Sequence, residues 1–277
     1  MNKVINGNLI IIGGAEDKVG RKEILKRVCN SINKDKDSLV VATVATEEPK
    51  EAGRKYQEVF KALGVKNISI LDISNRDDSY KEKNIKLIKS ARLVFFTGGD
   101  QLRITSLVGG TPIYDELKRL ALDGNFIVGT SAGASVMSDT MILEGKDEEA
   151  PKKSSLSMSP GFGFIKNVII DQHFDQRGRI GRLLTGVAQN PEVLGIGIDE
   201  NTAIIVNDKG FIEVLGEGAV YFVDGSKIYF TDVSEQSPKE VLSIYGVGLH
   251  VLKEGNKFNL IRKEPFKEEV IEDEDNR

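Results

Sequence analysis

The sequence has one cysteine, no tryptophan and only two histidines among its 277 residues. A single cysteine cannot form a disulfide within the chain, so no oxidising compartment is implied and a cytoplasmic location is expected. No apolar run approaches the roughly 20 residues of a membrane-spanning helix, which argues against a membrane protein. With a net charge of −4, the chain also lacks the basic excess that is typical of nucleic-acid-binding proteins.

The scarcity of histidine narrows the search for a general base to two positions. His173 ends an apolar, strand-like run next to polar residues, whereas His250 lies inside the apolar run 247–251. A packing role is therefore the better interpretation of His250, and His173 is the candidate base. Cys29 lies in an apparent helix, where packing is again the better interpretation than nucleophilic chemistry.

Short apolar runs alternate with segments of helical periodicity through the first half of the chain. The predicted strands there are Leu9–Ile12, Leu39–Val44, Ile68–Ile73, Leu93–Thr97 and Phe126–Gly129. The predicted helices between them are Val19–Ile32, Lys50–Leu63, Tyr80–Ser90 and Pro112–Leu122. This alternation predicts an α/β fold with a mostly parallel sheet and helices on both of its faces.

The second half is richer in strands. It has one further predicted helix, about Arg179–Gln189, and the strands Val168–Ile170, Leu194–Ile198 and Thr202–Val206. From Gly210 the pattern predicts a β-meander of Phe211–Leu215, Ala219–Val223, Lys227–Phe230 and Gly248–Leu252. No linker divides the chain, so residues 1–263 are predicted to form a single domain, and 264–277 a charged, flexible tail.

The segment Leu143–Gly163 differs from its surroundings. It contains a charge run at 144–149 and a stretch rich in serine and lysine at 152–159. A solvated loop is the favoured prediction, and a lid over a binding site is the alternative.

A serine follows the apolar run Phe126–Gly129 in the frame Gly129-Thr130-Ser131-Ala132-Gly133. Small neighbours permit a sharp turn from strand to helix, which would expose the Ser131 hydroxyl above the sheet as a nucleophile requires. The N–H of Ala132, at the start of the following helix, can then face a developing oxyanion. Gly98-Gly99, which follows another predicted strand, can supply the second N–H of that oxyanion hole.

Four predicted strands end in polar or glycine-rich clusters. The clusters are Gly98-Gly99-Asp100-Gln101, Ser131 with its neighbours, Asp171-Gln172-His173-Phe174 and Asp199-Glu200-Asn201. Ligands bind outside the carboxyl ends of the strands in open α/β sheets. If the four strands ended at the same edge of one sheet, the four clusters would together form a binding site there. Ser131 would then be the nucleophile, His173 the base, and either Asp199 or Glu200 the acid that orients the base. An α/β-hydrolase is disfavoured, because its acid precedes its histidine in the chain.

Two further features accompany these clusters. Arg177, Arg179 and Arg182 follow His173 closely and could clamp substrate carboxylates, while Asp171 could pair with a substrate cation. A pocket that carries both signs of charge suggests a zwitterionic substrate. Gly13-Gly14 lacks a phosphate-loop pattern, so a tight turn is predicted there.

At these residues the chain resembles the cyanophycinases, within the serine peptidase family that also contains the α-aspartyl dipeptidases. The matching pieces are Gly13-Gly14-Ala15-Glu16-Asp17, Phe96-Thr97-Gly98-Gly99-Asp100-Gln101, Gly129-Thr130-Ser131-Ala132-Gly133-Ala134, the block from Asp171 to Leu183 with its spaced arginines, and Gly197-Ile198-Asp199-Glu200-Asn201-Thr202-Ala203. They occur in the family order and cover about residues 8–262. The block that begins at Asp171 is the part that points to cyanophycinase.

The resemblance implies a three-layer fold like that of class I glutamine amidotransferases, which is flavodoxin-like, with a β-rich C-terminal part. It implies Ser131 as nucleophile, His173 as base and Glu200 as the acid, and these roles agree with the oxyanion hole inferred above for Gly99 and Ala132. It also implies a substrate pocket shaped by Gln101, Asp171, Gln172, Arg177, Arg179 and Arg182. The implied substrate is cyanophycin, a poly-aspartate that carries arginine on its side chains, and the implied product is β-Asp-Arg dipeptide. A homodimer is implied as well, and no metal or organic cofactor.

Two alternatives stay open at this point. One is an α-aspartyl or isoaspartyl dipeptidase on the same scaffold, and the other is a binding protein without catalysis. One departure from the family is Ala15, where a third glycine is common. We expect it to matter little, because a turn can absorb an alanine whose φ is negative.

Overall fold

The computed structural model describes residues 5, 7–145, 147, 150–153 and 156–267. Its α-helices are α1 (Glu23–Asn30), α2 (Pro49–Ala62), α3 (Glu82–Lys89), α4 (Gln101–Val108), α5 (Pro112–Leu122), α6 (Ala132–Ser135) and α7 (Ile180–Gln189). Its strands are β1 (Asn8–Ile12), β2 (Ser38–Ala42), β3 (Asn67–Leu71), β4 (Leu93–Phe96), β5 (Phe126–Thr130), β6 (Thr140–Gly145), β7 (Leu156–Pro160), β8 (Val168–Gln172), β9 (Leu194–Ile198), β10 (Thr202–Val206), β11 (Phe211–Gly216), β12 (Val220–Asp224), β13 (Phe230–Thr231), β14 (Ile244–Tyr245), β15 (Gly248–Leu252), β16 (Lys257–Asn259) and β17 (Glu264–Phe266).

A nine-stranded mixed sheet forms the centre of the molecule. Its strand order is β17-β16-β11-β10-β1-β5-β4-β2-β3. From β1 to β3 the neighbouring strands are parallel, and from β1 to β17 they are antiparallel. Helices cover both faces, because alternate residues of the buried strands point to opposite sides. The predicted α/β fold is therefore confirmed.

The two faces of this sheet bury separate apolar clusters. On one face, Ile10 and Val128 pack with Leu25 of α1 and Phe60 of α2. On the other face, the core includes side chains of α4 and α5 and also those of a second sheet, such as Ile196. The site described below lies where the two sheets meet.

The second sheet has four strands in the order β15-β12-β9-β8, with β8 and β9 parallel. Helix α7 packs on its far side through Leu183 and Val187. Two predictions are wrong here. The four strand ends do not share the edge of one sheet, because β4 and β5 belong to the large sheet and β8 and β9 to the small one. The C-terminal strands are not one meander either, since β11 pairs with β10 and β16, whereas β12 pairs with β9 and β15.

The segment predicted as a solvated loop forms a β-hairpin instead. Strands β6 and β7 pair antiparallel, with a register shift between Ile142 and Glu144. Within β7 the apolar residues alternate with serines, so that Leu156 and Met158 pack against the core beside α7. The short period-two pattern was hidden by the surrounding charges, which dominate the composition.

The predicted boundary at residue 263 falls inside another hairpin. Strand β17 begins at Glu264 and pairs with β16 at the edge of the large sheet. Residues 268–277 of the predicted tail lie outside the described residues. Among the helices of the described chain, none has the length and apolar character that crossing a membrane requires.

Candidate active site

Ser131 occupies a sharp turn between β5 and α6. Its backbone has φ 54° and ψ −113°, a conformation that non-glycine residues rarely adopt. Both flanking glycines are required by contact: a Cβ on Gly129 would lie 2.2 Å from the carbonyl oxygen of Gly133, and one on Gly133 would lie 2.5 Å from that of Phe96. The close packing forces the turn and directs the hydroxyl to the carboxyl end of the sheet.

Ser131, His173 and Glu200 form a connected chain of hydrogen bonds. The Ser131 Oγ lies 2.8 Å from His173 Nε2, and His173 Nδ1 lies 2.6 Å from Glu200 Oε1. The imidazole is 12% exposed and the Glu200 side chain 37%. A carboxylate that accepts from Nδ1 leaves Nε2 unprotonated and directed at the serine hydroxyl.

Both oxygens of the neighbouring carboxylate, Asp199, accept backbone N–H groups. It accepts the N–H of Asp175 at 3.0 Å and the N–H of Ala219 at 2.9 Å, and the residue is 5% exposed. Of the two acids that the sequence pattern leaves open, Glu200 is thus the one that faces His173. Asp199 instead fastens the start of the β9–β10 connection to two other loops.

Glu200 reaches the site because the chain changes sheets at this point. Strand β9 belongs to the small sheet and β10 to the large one, so residues 199–201 bridge the two. Asn201 has φ 47°, and this left-handed residue turns the chain within the bridge. The acid therefore stands beside His173, which follows β8 and has φ 49° itself.

Gly98 and Gly99 lie beside the serine. A Cβ on Gly98 would come within 3.3 Å of Ser131 Cβ. Gly99 has φ 144°, and a Cβ there would lie 2.2 Å from the carbonyl oxygen of Ala45. Because these two residues have no side chain, the loop after β4 can lie against the serine turn at Gly98 and against Ala45 at Gly99. The oxyanion hole made of the Gly99 and Ala132 N–H groups stays a prediction.

The end of β1 and the turn after it contact the three loops that carry Ser131, His173 and Glu200. The N–H of Ser131 donates to the carbonyl of Ile12 (3.0 Å), that of His173 to Gly13 (2.8 Å) and that of Asn201 to Gly14 (2.9 Å). Gly14 has φ 102°, and a Cβ there would lie 2.3 Å from His173 Cε1. Gly13-Gly14 thus forms the predicted tight turn, and the imidazole lies directly against it.

Ala15 does not behave as the sequence pattern led us to expect. Its φ is 47°, so it occupies the left-handed region rather than a conformation with negative φ. The left-handed conformation of Ala15 precedes Glu16, whose carboxylate accepts the hydroxyl of Thr130 at the end of β5 (2.6 Å), so the chain is held in this turn by a tertiary contact. An L-residue in this region costs about 1–2 kcal/mol.

We expect Ala15→Gly to raise the free energy of unfolding by up to about 1 kcal/mol, because relief of strain exceeds the added entropy of the unfolded chain. Urea unfolding measures the change. Ala52→Gly, within α2, is the matched control and should lower stability by about 0.5–1 kcal/mol. A loss of stability in Ala15→Gly as large as in the control would contradict the assignment of strain to this residue.

Asp171, Arg179 and Arg182 form a buried ionic cluster. Asp171 is fully buried, and Arg179 and Arg182 are each 5% exposed. Arg182 Nε donates to Asp171 Oδ2 at 2.6 Å, its Nη2 also contacts Asp171, and Arg179 Nη1 lies 3.4 Å from Asp171 Oδ1. The Asp171 carboxylate therefore faces these arginines rather than open solvent, and they are the cations with which it pairs in this structure.

A residue that the sequence analysis did not single out completes this cluster. Asp147 Oδ1 accepts from Arg179 Nε at 2.9 Å and from Arg182 Nη1 at 3.2 Å. Asp147 belongs to the charge run after β6, and its side chain is 37% exposed. No local pattern marks it, because the run contains several charged residues and the contact with the arginines depends on how the hairpin folds.

The other predicted pocket residues are divided between the interior and the surface. Gln101 donates through Nε2 to the carbonyls of Ile142 (2.9 Å) and Leu143 (2.8 Å), which fixes β6 beside α4. Gln172 is buried and accepts the hydroxyl of Ser135 at 3.1 Å. Arg177 is exposed, and its charge acts on His173.

The remaining candidates lie away from the site. His250 is on β15, with its ring 5.9 Å from that of Phe258, in keeping with a packing role. Cys29 is buried in α1, and burial raises the pKa of its thiol to about 11. Within the ranges that the structure describes, no three His, Cys, Asp or Glu side chains are grouped as a metal site would need.

Comparison with known proteins places this arrangement in a family. The sequence model described as "Peptidase family S51" matches residues 9–214. A cyanophycinase of Geminocystis herdmanii is 35% identical over 267 residues, which cover 96% of this chain and 98% of that protein. A cyanophycinase of Trichormus variabilis is 36% identical over 256 residues, 92% of this chain and 86% of that protein.

Solved structures share the fold. A peptidase from an acI-B1 Actinobacterium superposes with a TM-score of 0.67 at 20% identity, over 93% of this chain and 98% of its own. A putative peptidase E protein from Listeria monocytogenes gives a TM-score of 0.55 at 14% identity, over 76% of this chain and 99% of its own. At these identities the likeness concerns the fold alone, whereas the family match and the relatives at 35–36% identity show that this chain belongs to peptidase family S51 and is a peptide-bond hydrolase.

Proposed function

We propose that this protein is a serine-type exopeptidase that hydrolyses cyanophycin to β-Asp-Arg dipeptides. One observation carries the proposal: the Ser131–His173–Glu200 chain of hydrogen bonds is assembled in a sequence that matches cyanophycinases over 79–98% of their length. A serine, an imidazole and a carboxylate in this order supply a nucleophile, its base and the group that orients the base.

The geometry gives each group a step. His173 Nε2 takes the proton of Ser131 Oγ as the oxygen attacks the backbone carbonyl of the polymer. The N–H groups of Gly99 and Ala132 stabilise the oxyanion that forms. The leaving amine takes the proton from Nε2 and departs, and water then hydrolyses the acyl-serine by the same proton path. Glu200 stabilises the imidazolium and holds its Nδ1 proton throughout.

The charged residues fit the repeating unit of the polymer, which carries one guanidinium and one carboxylate. We propose that Gln101, Asp171, Gln172, Arg177, Arg179 and Arg182 shape its pocket. Ion pairs with the buried Asp171 restrain Arg179 and Arg182, so that these guanidinium groups keep one orientation. Arg177, which is exposed next to His173, is the cation best placed to meet a substrate carboxylate directly.

Incubation with insoluble cyanophycin and identification of the products by mass tests this function. Release of β-Asp-Arg is the expected result. Faster turnover of free aspartyl dipeptides than of the polymer would instead favour a dipeptidase. Failure of Ser131 to react with a serine-directed fluorophosphonate, together with no product, would favour a binding protein.

The pH dependence follows from the environment of His173. Burial lowers the pKa of the imidazole below its ordinary value of 6.5, the charges of Arg177 and Arg179 lower it further, and the hydrogen bond to Glu200 opposes them. The base must be unprotonated to accept the serine proton, so kcat/KM should rise with pH through a pKa below 6.5 and be level by neutral pH. A pH profile of dipeptide release measures this pKa. Arg177→Gln should move the acid limb to higher pH, and a wild-type limb centred above 6.5 would contradict the assignment.

We further propose a cytoplasmic homodimer. The lone cysteine is buried and unpaired, which suits a reducing compartment. Strand β15 is an edge strand whose Leu249 and Val251 are 54% and 56% exposed, a surface that a second copy could cover. Light scattering coupled to gel filtration measures the mass directly.

A further inference from the structure

Glu16 holds a buried carboxylate that the proposed mechanism does not use. The residue is 3% exposed and lies in the turn after β1. Its Oε1 accepts the hydroxyl of Tyr56 at 2.5 Å and lies 2.7 Å from Lys18 Nζ. Its Oε2 accepts the hydroxyl of Thr130 at 2.6 Å. A buried charge with three donors is a fixed group, since moving it would leave donors or the charge unsatisfied.

The two carboxylate oxygens face different parts of the molecule. Oε1 is directed to α2 and to the turn itself, where Tyr56 and Lys18 also contact each other, with Lys18 Nζ 5.0 Å from the ring centre. Oε2 is directed to Thr130, the residue immediately before the nucleophile. Burial and the nearby Glu16 charge keep the pKa of the Tyr56 hydroxyl well above its usual range, so this group stays a donor. One side of the carboxylate is thus an anchor, and the other reaches the serine turn.

The serine turn needs such a restraint. Ser131 is held at φ 54° and ψ −113°, a conformation that a free chain would leave. The backbone ladder fixes the strand up to this point, because Ser131 N–H donates to Ile12. That bond holds the peptide that joins Thr130 to Ser131, and the hydrogen bond from the Thr130 hydroxyl to Glu16 adds a second, side-chain tether on the residue before the nucleophile. The tether begins in the same turn that contacts His173 and the loop of Glu200.

We propose that Glu16 is a positioning residue for the nucleophile: through the Thr130 hydroxyl it sets the position of Ser131 relative to His173. This inference rests on the proposed function, since it assumes that Ser131 reacts. It assigns to Glu16 an effect on the reaction step and none on substrate binding, because neither Glu16 nor Thr130 contributes a free group to the pocket.

The test compares variants on the two sides of the carboxylate. Thr130→Val removes the tether with little change in volume, and Thr130→Ser keeps the hydroxyl. Tyr56→Phe removes a hydroxyl from the opposite side of the same carboxylate. Glu16→Gln removes the charge itself. Each variant is checked for folding by circular dichroism and thermal unfolding before its kinetics are measured.

Two readouts are used. One is the rate of Ser131 labelling by a fluorophosphonate, and the other is kcat and KM for dipeptide release. Because small displacements of a nucleophile are costly, Thr130→Val and Glu16→Gln should lower both the labelling rate and kcat by about 10-fold or more with KM unchanged. Thr130→Ser should restore most of kcat. Tyr56→Phe should lower the unfolding temperature and leave kcat within about 2-fold of wild type. The Tyr56 hydroxyl binds Glu16 Oε1, whereas the serine turn is held through Oε2.

The outcomes separate this inference from the proposed function. If wild-type protein is labelled at Ser131 and Thr130→Val is labelled as fast, the positioning role is wrong while the nucleophile stands. Equal losses of kcat in Tyr56→Phe and Thr130→Val would also overturn it, because a purely structural network would respond from either side. If wild type is not labelled and releases no product, the proposed function itself fails. Should Glu16→Gln not fold, the Thr130 and Tyr56 pair still decides the question.

Discussion

Ser131→Ala should reduce the release of β-Asp-Arg from cyanophycin by about 10⁴-fold or more, because the alanine has no oxygen to form the acyl intermediate. His173 and Glu200 would remain in place but would have no hydroxyl to deprotonate. Product release from the insoluble polymer, quantified by mass, measures the loss. The variant should still sediment with the polymer, since the pocket residues are unchanged.

The variant should fold normally. Alanine meets the same backbone strain at φ 54° as serine does, and it has no larger side chain. Ser138→Ala is the matched control: Ser138 is buried a short distance after the same turn and bonds to the carbonyls of Ser135 and Thr140. The control should lose some stability and keep its turnover. Wild-type turnover in Ser131→Ala would exclude Ser131 as the nucleophile.

Two of the side chains that the structure brings together could be predicted from the sequence more readily than the architecture that joins them. A serine between small residues after a buried strand, and one histidine of two at a strand end, are local patterns. A local pattern is enough to predict the serine turn, because its shape depends on the close backbone contacts of Gly129 and Gly133, which are near it in the chain. Ser131 and His173 could therefore be proposed as nucleophile and base from the sequence alone.

The choice between Asp199 and Glu200 could not be made in the same way. Adjacent residues on an extended chain face opposite sides, and the side that meets His173 depends on where the chain crosses between sheets. Pairing of β9 with β12 rather than with β10 is a long-range outcome that no local pattern encodes. The hairpin and the role of Asp147 could not be predicted for the same reason, since the contacts of Asp147 with Arg179 and Arg182 are tertiary and no local pattern in a run of charges encodes them.

The carboxylate assignment leads to an expected contrast between neighbours. Glu200→Gln should lower kcat by about 10²- to 10⁴-fold, because an amide can donate to Nδ1 and favour the tautomer whose Nε2 already carries a proton. That tautomer cannot accept the serine proton. KM should change little, since Glu200 lies on the far side of the imidazole from Ser131. Kinetics of dipeptide release on soluble short oligomers measure both constants.

Asp199→Asn is the matched control at the neighbouring residue. We expect it to reduce stability and to leave kcat unchanged, whereas Glu200→Gln should reduce kcat. An asparagine has one acceptor oxygen where the carboxylate has two, so the N–H of either Asp175 or Ala219 would lose its partner. That loss should reduce the free energy of unfolding by about 1–3 kcal/mol and leave kcat near the wild-type value at temperatures where the variant is folded. The reverse pattern, with turnover abolished in Asp199→Asn and retained in Glu200→Gln, would assign the orienting carboxylate to Asp199. The two variants together therefore separate support of the loop from control of the imidazole, which a single substitution at either position could not do.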